Sequence, residues 1–224
     1  MPIVSTLIVV GLFVLIGAWW FSETQRIKRA LRGAEMVQIA QYPHGGLKRI
    51  VGKLSMNEEP LVAPLTGRPC AAYEVVLEQL RSSGKSSSWH TVFREIEVRP
   101  FTLDDGTGRA FVEPSEAKLV ITRDERSQSG TFDDPTPREQ AFLDMYGQSG
   151  EGWVFNKTLR YSEGVLEPGE DVAVLGRGAV SFDDRPAQDP HAGGYRQGSQ
   201  STKVTLRAGP KDPLYISDDP STLY

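Results

Sequence analysis

Cysteine occurs once in these 224 residues, at Cys70, and histidine three times, at His44, His90 and His191. No disulfide can form within the chain. A cysteine-rich zinc centre, which needs four ligands per ion, is excluded too. Positive charge is also scarce: 25 Lys and Arg face 29 Asp and Glu, a net charge of −4. The one basic cluster, Arg26, Lys28, Arg29 and Arg32, is short. A nucleic-acid binder carries a basic face or stripe, so nucleic acid is not an expected partner. No glycine-rich stretch matches a phosphate-cradling motif; Gly45-Gly46 and Gly176-Arg177-Gly178 both lack the flanking pattern. No internal repeat is visible.

One long apolar run is present, Pro2–Phe21, with no charge before Glu23. About 20 helical residues span the roughly 30 Å hydrocarbon core of a bilayer, and Trp19, Trp20 and Phe21 close the run as an aromatic belt. A cleaved signal peptide would have Lys or Arg before a shorter run and a small-residue cleavage site after it; the chain has neither. Residues 1–21 are therefore expected to form an uncleaved transmembrane helix. The basic flank follows the span and nothing basic precedes it, which places the rest of the chain in the cytoplasm by the positive-inside rule. Residues 22–43 read as a juxtamembrane helix and linker, with Ile27, Leu31 and Ala34 at helical spacing and Tyr42-Pro43-His44-Gly45-Gly46 ending it.

From residue 47 the period changes to that of strands. Cys70–Leu80 has apolar residues on both faces, as in a central strand. Trp89–Val98 alternates and is expected to pair with it. Pro100–Pro114 reads as a β-hairpin, with Phe101 and Leu103 on the way in, Ala110 and Val112 on the way out, and Asp105-Gly106-Thr107-Gly108 at the turn. Thr136 and Pro137 begin the one good helix, with Ala141, Phe142 and Met145 on one face. Leu159–Glu163 and Val165–Gly176 supply a strand, a Pro-Gly turn and a buried strand, and Lys203–Arg207 and Pro213–Ser217 close the chain. The expected fold is mainly β: a small OB-like barrel, or a β-sandwich, plus one short helix over residues 47–219, with a tail at 220–224. Three polar loops, 81–88, 123–135 and 183–201, are expected to face a partner.

Candidate chemistry is sparse. Cys70 is the first possible nucleophile, and His90 on the pairing strand is the base it would need. Asp104 and Asp105 with Gly106 and Gly108 hint at a cation loop, yet lack the full ligand set. Asp133-Asp134 and Asp183-Asp184 read as solvated loop acids, and His44 as a lone loop histidine. Trp89, Phe101 and Tyr161 are expected in the core rather than as stacking platforms. No catalytic, cofactor-binding or metal residue is assigned.

Several pieces together carry a resemblance: Ala63-Pro64-Leu65-Thr66-Gly67-Arg68-Pro69-Cys70-Ala71-Ala72-Tyr73, then Trp89, Pro100-Phe101 through Ala110 and Val112-Glu113-Pro114, Tyr161-Ser162-Glu163, Leu166, Pro168-Gly169, Val174-Leu175-Gly176, and Tyr215-Ile216-Ser217-Asp218. In this order the chain resembles the GIDE domain, the membrane-adjacent domain of MULAN-type mitochondrial E3 ubiquitin ligases and their prokaryotic relatives. The resemblance implies a membrane-anchored β-domain linked to ubiquitin transfer. In those ligases a second membrane helix and a zinc-binding RING follow, at the point where this chain reaches Tyr224. One cysteine and three histidines cannot build a RING within these residues. Two readings follow: a non-catalytic interaction or sensing module at the membrane, or the membrane and recognition subunit of a modifying system whose RING lies on another chain. A protein partner is expected, and no cofactor.

Overall fold

Alternation of apolar and polar residues forces a strand to present one face to a core, and five segments of this chain alternate in that way. In the computed structural model, which describes residues 23–84, 86–129, 136–145, 158–182 and 202–224, those five form a closed barrel. They are β1 (Leu47–Met56), β6 (Phe101–Asp104), β7 (Arg109–Val112), β11 (Asp171–Phe182) and β12 (Thr202–Arg207). The ring runs β1-β6-β7-β12-β11 and returns to β1. Every pairing is antiparallel except β7–β12. Ile50 and Leu54, Phe101 and Leu103, Ala110 and Val112, Val172 and Val174, and Val204 and Leu206 fill the interior, all essentially inaccessible to solvent. Each contributes about 1.5–3 kcal/mol on burial, the alanine less. Among the described residues the barrel expected from the sequence is present, and the sandwich alternative is not.

Closure depends on β1 changing partner. Leu47–Lys53 pairs with β11 and Lys53–Met56 with β6. Gly52 stands at the changeover, where a Cβ would lie 2.9 Å from the Asp104 carbonyl oxygen; only a residue without a side chain lets the backbones approach so closely.

Two insertions leave the barrel, and the sequence reading did not separate them from it. The first, between β1 and β6, holds β2 (Leu61–Val62), β3 (Pro69–Cys70), β4 (Ala72–Ser83) and β5 (Ser86–Val98). The second, between β7 and β11, holds β8 (Lys118–Val120), β9 (Glu125–Ser129), the helix α2 (Pro137–Met145) and β10 (Leu159–Leu166). Together they make an antiparallel sheet of order β5-β4-β10-β9. Tyr73, Val75, Leu77 and Tyr161 on one face pack against Phe142 and Leu143 of α2. Thr136 and Glu139 form a capping box at the start of α2: the Glu139 amide donates to Thr136 Oγ1 at 3.3 Å, and the Thr136 amide donates to Glu139 Oε2 at 2.7 Å. Ala141 and Met145, expected on the buried face, are exposed; the buried set is Glu139, Phe142 and Leu143.

Loop 81–88 is corrected to the tip of the β4–β5 hairpin, with Gly84 at φ +62°. Part of loop 123–135 is the edge strand β9. Loop 183–201, with Asp183, Asp184 and His191, lies outside the described residues, as do Asp133, Asp134 and the expected membrane span at 1–21. No helix among the described residues is long and apolar enough to cross a membrane.

A helix over residues 23–33, here α1, packs Ile27 and Leu31 onto Val120, Ala173, Leu175 and Tyr215. It ends at Gly33, and a 3₁₀ turn, Ile39–Gln41, follows. Beyond β11 the barrel sheet continues: β13 (Tyr215–Ser217) pairs with β11 and, in parallel, with β8. Residues 220–224, expected as a tail, start with the helical turn Pro220–Leu223, capped by Asp219. Arg49, 5% exposed, donates through Nη1 to the Thr222 carbonyl at 2.9 Å.

Gly164 of β10 sits where a Cβ would be 2.5 Å from the Thr122 carbonyl oxygen. Gly164→Ala is therefore expected to destabilise the fold by about 1–3 kcal/mol, lowering Tm by roughly 3–10 °C in thermal unfolding. Gly33→Ala, with open space around it, is expected to leave Tm unchanged or slightly raised.

Candidate functional site

The turn of the β6–β7 hairpin is the first place to look for chemistry, because it concentrates acids and glycines. Asp105 accepts through Oδ1 from the amides of Thr107 at 2.8 Å and Gly108 at 3.1 Å and from the Thr107 hydroxyl at 2.7 Å. Its Oδ2 accepts from the Ile39 amide at 2.7 Å. Burial opposes its ionisation, but the amides of Ile39, Thr107 and Gly108 and the Thr107 hydroxyl together outweigh that and hold its pKa below the usual carboxylate value. Asp104 accepts from the Gly106 amide and pairs with Arg109 at 3.1 Å. The acids are used internally, and Thr107 Oγ1 also accepts from the Ala40 amide at 3.3 Å. The turn is a clasp on the 3₁₀ segment rather than a cation loop. Only Gly106 there has a positive φ, +80°; at Gly108 a Cβ would press on Ile39 at 3.1 Å.

Cys70 is fully buried. Burial first, then the charges of Glu163 and Glu167, raises its pKa to about 12. His90 does not approach it. His90 faces Gln79 on β4, nine residues beyond Cys70 and on the order of 30 Å along the strand, and its Nε2 lies 2.9 Å from Ser88 Oγ. The thiol–imidazole pair that a reactive Cys70 would need is therefore absent. His44 Nδ1 lies 3.1 Å from the Val180 backbone. Gly176 and Gly178 lie in β11 because Leu214 and the Tyr42 ring occupy the space a Cβ would need. Phe101 and Tyr161 are core, and Trp89 carries the Arg160 guanidinium 4.3 Å over its ring. Among the described residues, no group of three or more His, Cys, Asp and Glu side chains could hold a metal ion.

Polar chemistry concentrates instead where the insertions meet each other and the barrel. Glu163, fully buried on β10, accepts from the Leu65 amide at 2.8 Å and the Thr66 amide at 3.0 Å, and from the Thr66 hydroxyl. Gly67 closes that turn at φ +73°. Arg68 forms a bidentate pair with Asp124 at 2.7 and 2.8 Å, and that partnership raises its pKa. On the opposite face of the second sheet, Glu74, 4% exposed, accepts from Arg94 at 2.6 Å and from Arg123 at 3.1 Å. This triad lines a cavity of about 220 Å³, together with Lys28 of α1, Arg126 of β9 and Asp219. Lys28 is ion-paired with Asp219, so one of the four flank cations read as a topology signal is built into the domain. The Glu74 cluster escaped sequence reading because Glu74, Arg94 and Arg123 are far apart in the chain and only strand pairing joins them.

A family model for GIDE, described as E3 ubiquitin ligase, matches residues 73–194, 122 of the 224 residues and more than half the chain. The chain belongs to the GIDE family. Searches of curated proteins and of solved structures each found no match. The GIDE match begins in β4 and takes in β5, the β6–β7 hairpin, β10 and β11. Two pieces that carried the resemblance, Leu65-Thr66-Gly67-Arg68 and Tyr161-Ser162-Glu163, meet at the Glu163 carboxylate. There they lock the two GIDE insertions together.

Asp105→Ala strands four donors and is expected to cost about 1–3 kcal/mol and to speed amide exchange at Ile39 and Thr107. Millimolar Ca²⁺ is expected to leave the parent Tm unchanged. For Cys70, a folded pKa above the unfolded one contributes stability that is fully present below about pH 9 and is lost as pH rises toward 12. Denaturant titrations between pH 9 and 10 are expected to show a shallower fall in Cys70→Ala, by up to about 1.4 kcal/mol per pH unit.

Proposed function

We propose that this chain is a single-pass, membrane-anchored GIDE module that recognises a protein partner at the bilayer and does not itself catalyse ubiquitin transfer. The observation that carries this reading is the GIDE match in a stretch of 224 residues with one cysteine and three histidines, too few for the two tetrahedral zinc sites of a RING. The apolar run Pro2–Phe21 supports the anchor. The basic flank supports a cytoplasmic β-domain. A second reading, favoured by the ligase description of the family, makes the chain the membrane and recognition subunit of a ubiquitin-transferring assembly, with the catalytic RING on another chain.

Transfer assays separate these readings. Full-length protein in detergent, given E1, E2, ATP and ubiquitin, is expected to produce no ubiquitin chains above the E2-only background; activity from the purified chain alone overturns the non-catalytic reading. Recovery of transfer only with a co-purified RING protein supports the subunit reading. Topology is read separately. Because Cys70 is buried and its thiol protonated, an introduced cysteine reports alone. Ser83→Cys at the exposed hairpin tip is expected to resist an impermeant maleimide in intact spheroplasts and to label after lysis; labelling from outside refutes the cytoplasmic placement.

A further inference from the structure

The basic cavity has a neighbour. A second cavity, of about 380 Å³, shares Thr24, Arg94 and Leu119 with the 220 Å³ cavity. The two differ in chemistry. The smaller has four cationic side chains, Lys28, Arg94, Arg123 and Arg126, against two carboxylates, Glu74 and Asp219, a surplus of two positive charges in a chain of net charge −4. The larger is charge-balanced, with Arg94 and Lys118 against Glu23 and Glu116. Its other walls include Ile27, Ile96, Val98, Pro114, Ala117 and Leu119, which are apolar. A chamber with a cationic surplus thus opens along the face of α1 beside a charge-balanced one, and both have partly apolar walls.

Position adds a second argument. Thr24 lines both chambers and is three residues past Phe21, where the apolar run ends. Three extended residues reach at most about 10 Å. If the run spans a bilayer, the joined cleft stands within about that distance of the headgroups. An anionic amphiphile fits such a pair of chambers, its phosphate at the exposed Arg126, beside the Lys28–Asp219 and Arg123–Glu74 pairs, and its first methylenes against Ile96 and Ala117.

We propose that this cleft binds one anionic phospholipid, headgroup in the basic chamber and proximal acyl chain along the apolar wall, Ile96, Val98 and Ala117, of the larger one. The proposal rests on the anchored reading above for its source of lipid. The lipid would join α1 to the second sheet, whose edge-strand Arg126 it meets, and so couple the domain's seating to membrane composition.

The test uses the full chain in mild detergent, offered equal phosphatidylglycerol and phosphatidylcholine, with retained lipid counted by native mass spectrometry. Phosphatidylglycerol is expected to be retained about five-fold over phosphatidylcholine, the worth of one surface cation. Arg126→Glu, on an exposed edge strand, is expected to lower that preference at least five-fold. Ala117→Trp fills the larger chamber and leaves every charge in place, so its expected loss of retention separates the cleft from general attraction by Arg26, Arg29 and Arg32. Ala117→Phe serves if the tryptophan variant does not fold. Parent-like retention in both Arg126→Glu and the Ala117 variant overturns the proposal. So does full displacement of the lipid by millimolar inorganic phosphate, or by an Asp/Glu-rich peptide, which would make the ligand a soluble anion or a protein. The anchor is tested apart, by an alkaline carbonate wash of membranes. Release of the chain refutes the anchor and leaves the detergent result standing, whereas loss of lipid selectivity refutes the cleft and leaves the anchor standing.

Discussion

The change of partner along β1 is the constraint on which the architecture depends. One strand must serve both β11 and β6 for five strands to close, and Gly52 allows the close backbone approach this demands. Once the ring is closed, no strand of the barrel has a free edge along that seam, and the interior is sealed by ten side chains from five alternating segments. The insertions between β1 and β6 and between β7 and β11 are then fixed at their roots. Neither has a core of its own. They share one by pairing β4 with β10.

Buried carboxylates secure that sharing. Burying a charge is costly unless it is paired and hydrogen-bonded, so Glu163 and Glu74 stay in place only because their donors come from other parts of the chain. Glu163 takes its donors from the Leu65-Thr66 turn, and Glu74 from Arg94 and Arg123. Each carboxylate links the two insertions, through backbone amides in one case and guanidinium groups in the other. Losing Glu163 would strip three donors of the Leu65-Thr66 turn of their acceptor, and losing Glu74 would remove the carboxylate that bridges Arg94 and Arg123, which is why these positions matter more to the fold than their place in the sequence suggests.

Function follows the distribution of chemistry. The groups a catalytic reading would use are spent on structure: Asp105 holds the 3₁₀ segment, Cys70 is a protonated core thiol, and His90 is far from it. What faces outward is a cationic cleft beside α1 and a sheet presenting Trp89 and Arg160. That suits a module that docks against membrane and protein, consistent with a GIDE domain proposed to work apart from any RING.

Much was legible before any fold was seen. Period-two alternation in Phe101–Leu103 and Ala110–Val112 specified a hairpin, the Thr136-Pro137 start specified α2, and Cys70–Leu80 with Trp89–Val98 specified an antiparallel pair, because local patterning sets local structure. Ordered short motifs were enough to mark the family, and four Cys and His residues were enough to rule out a RING within these residues. The face of α2 was misread because Phe142 and Leu143 answer to Tyr161 and Phe93, partners chosen by packing. Division of the chain into a barrel and a shared second sheet, the separation of Cys70 from His90, and the meeting of Lys28, Glu74, Arg94, Arg123 and Arg126 at one cleft were decided only by the tertiary structure. Each depends on which distant strands pair and in what register, and no local pattern in the chain encodes that.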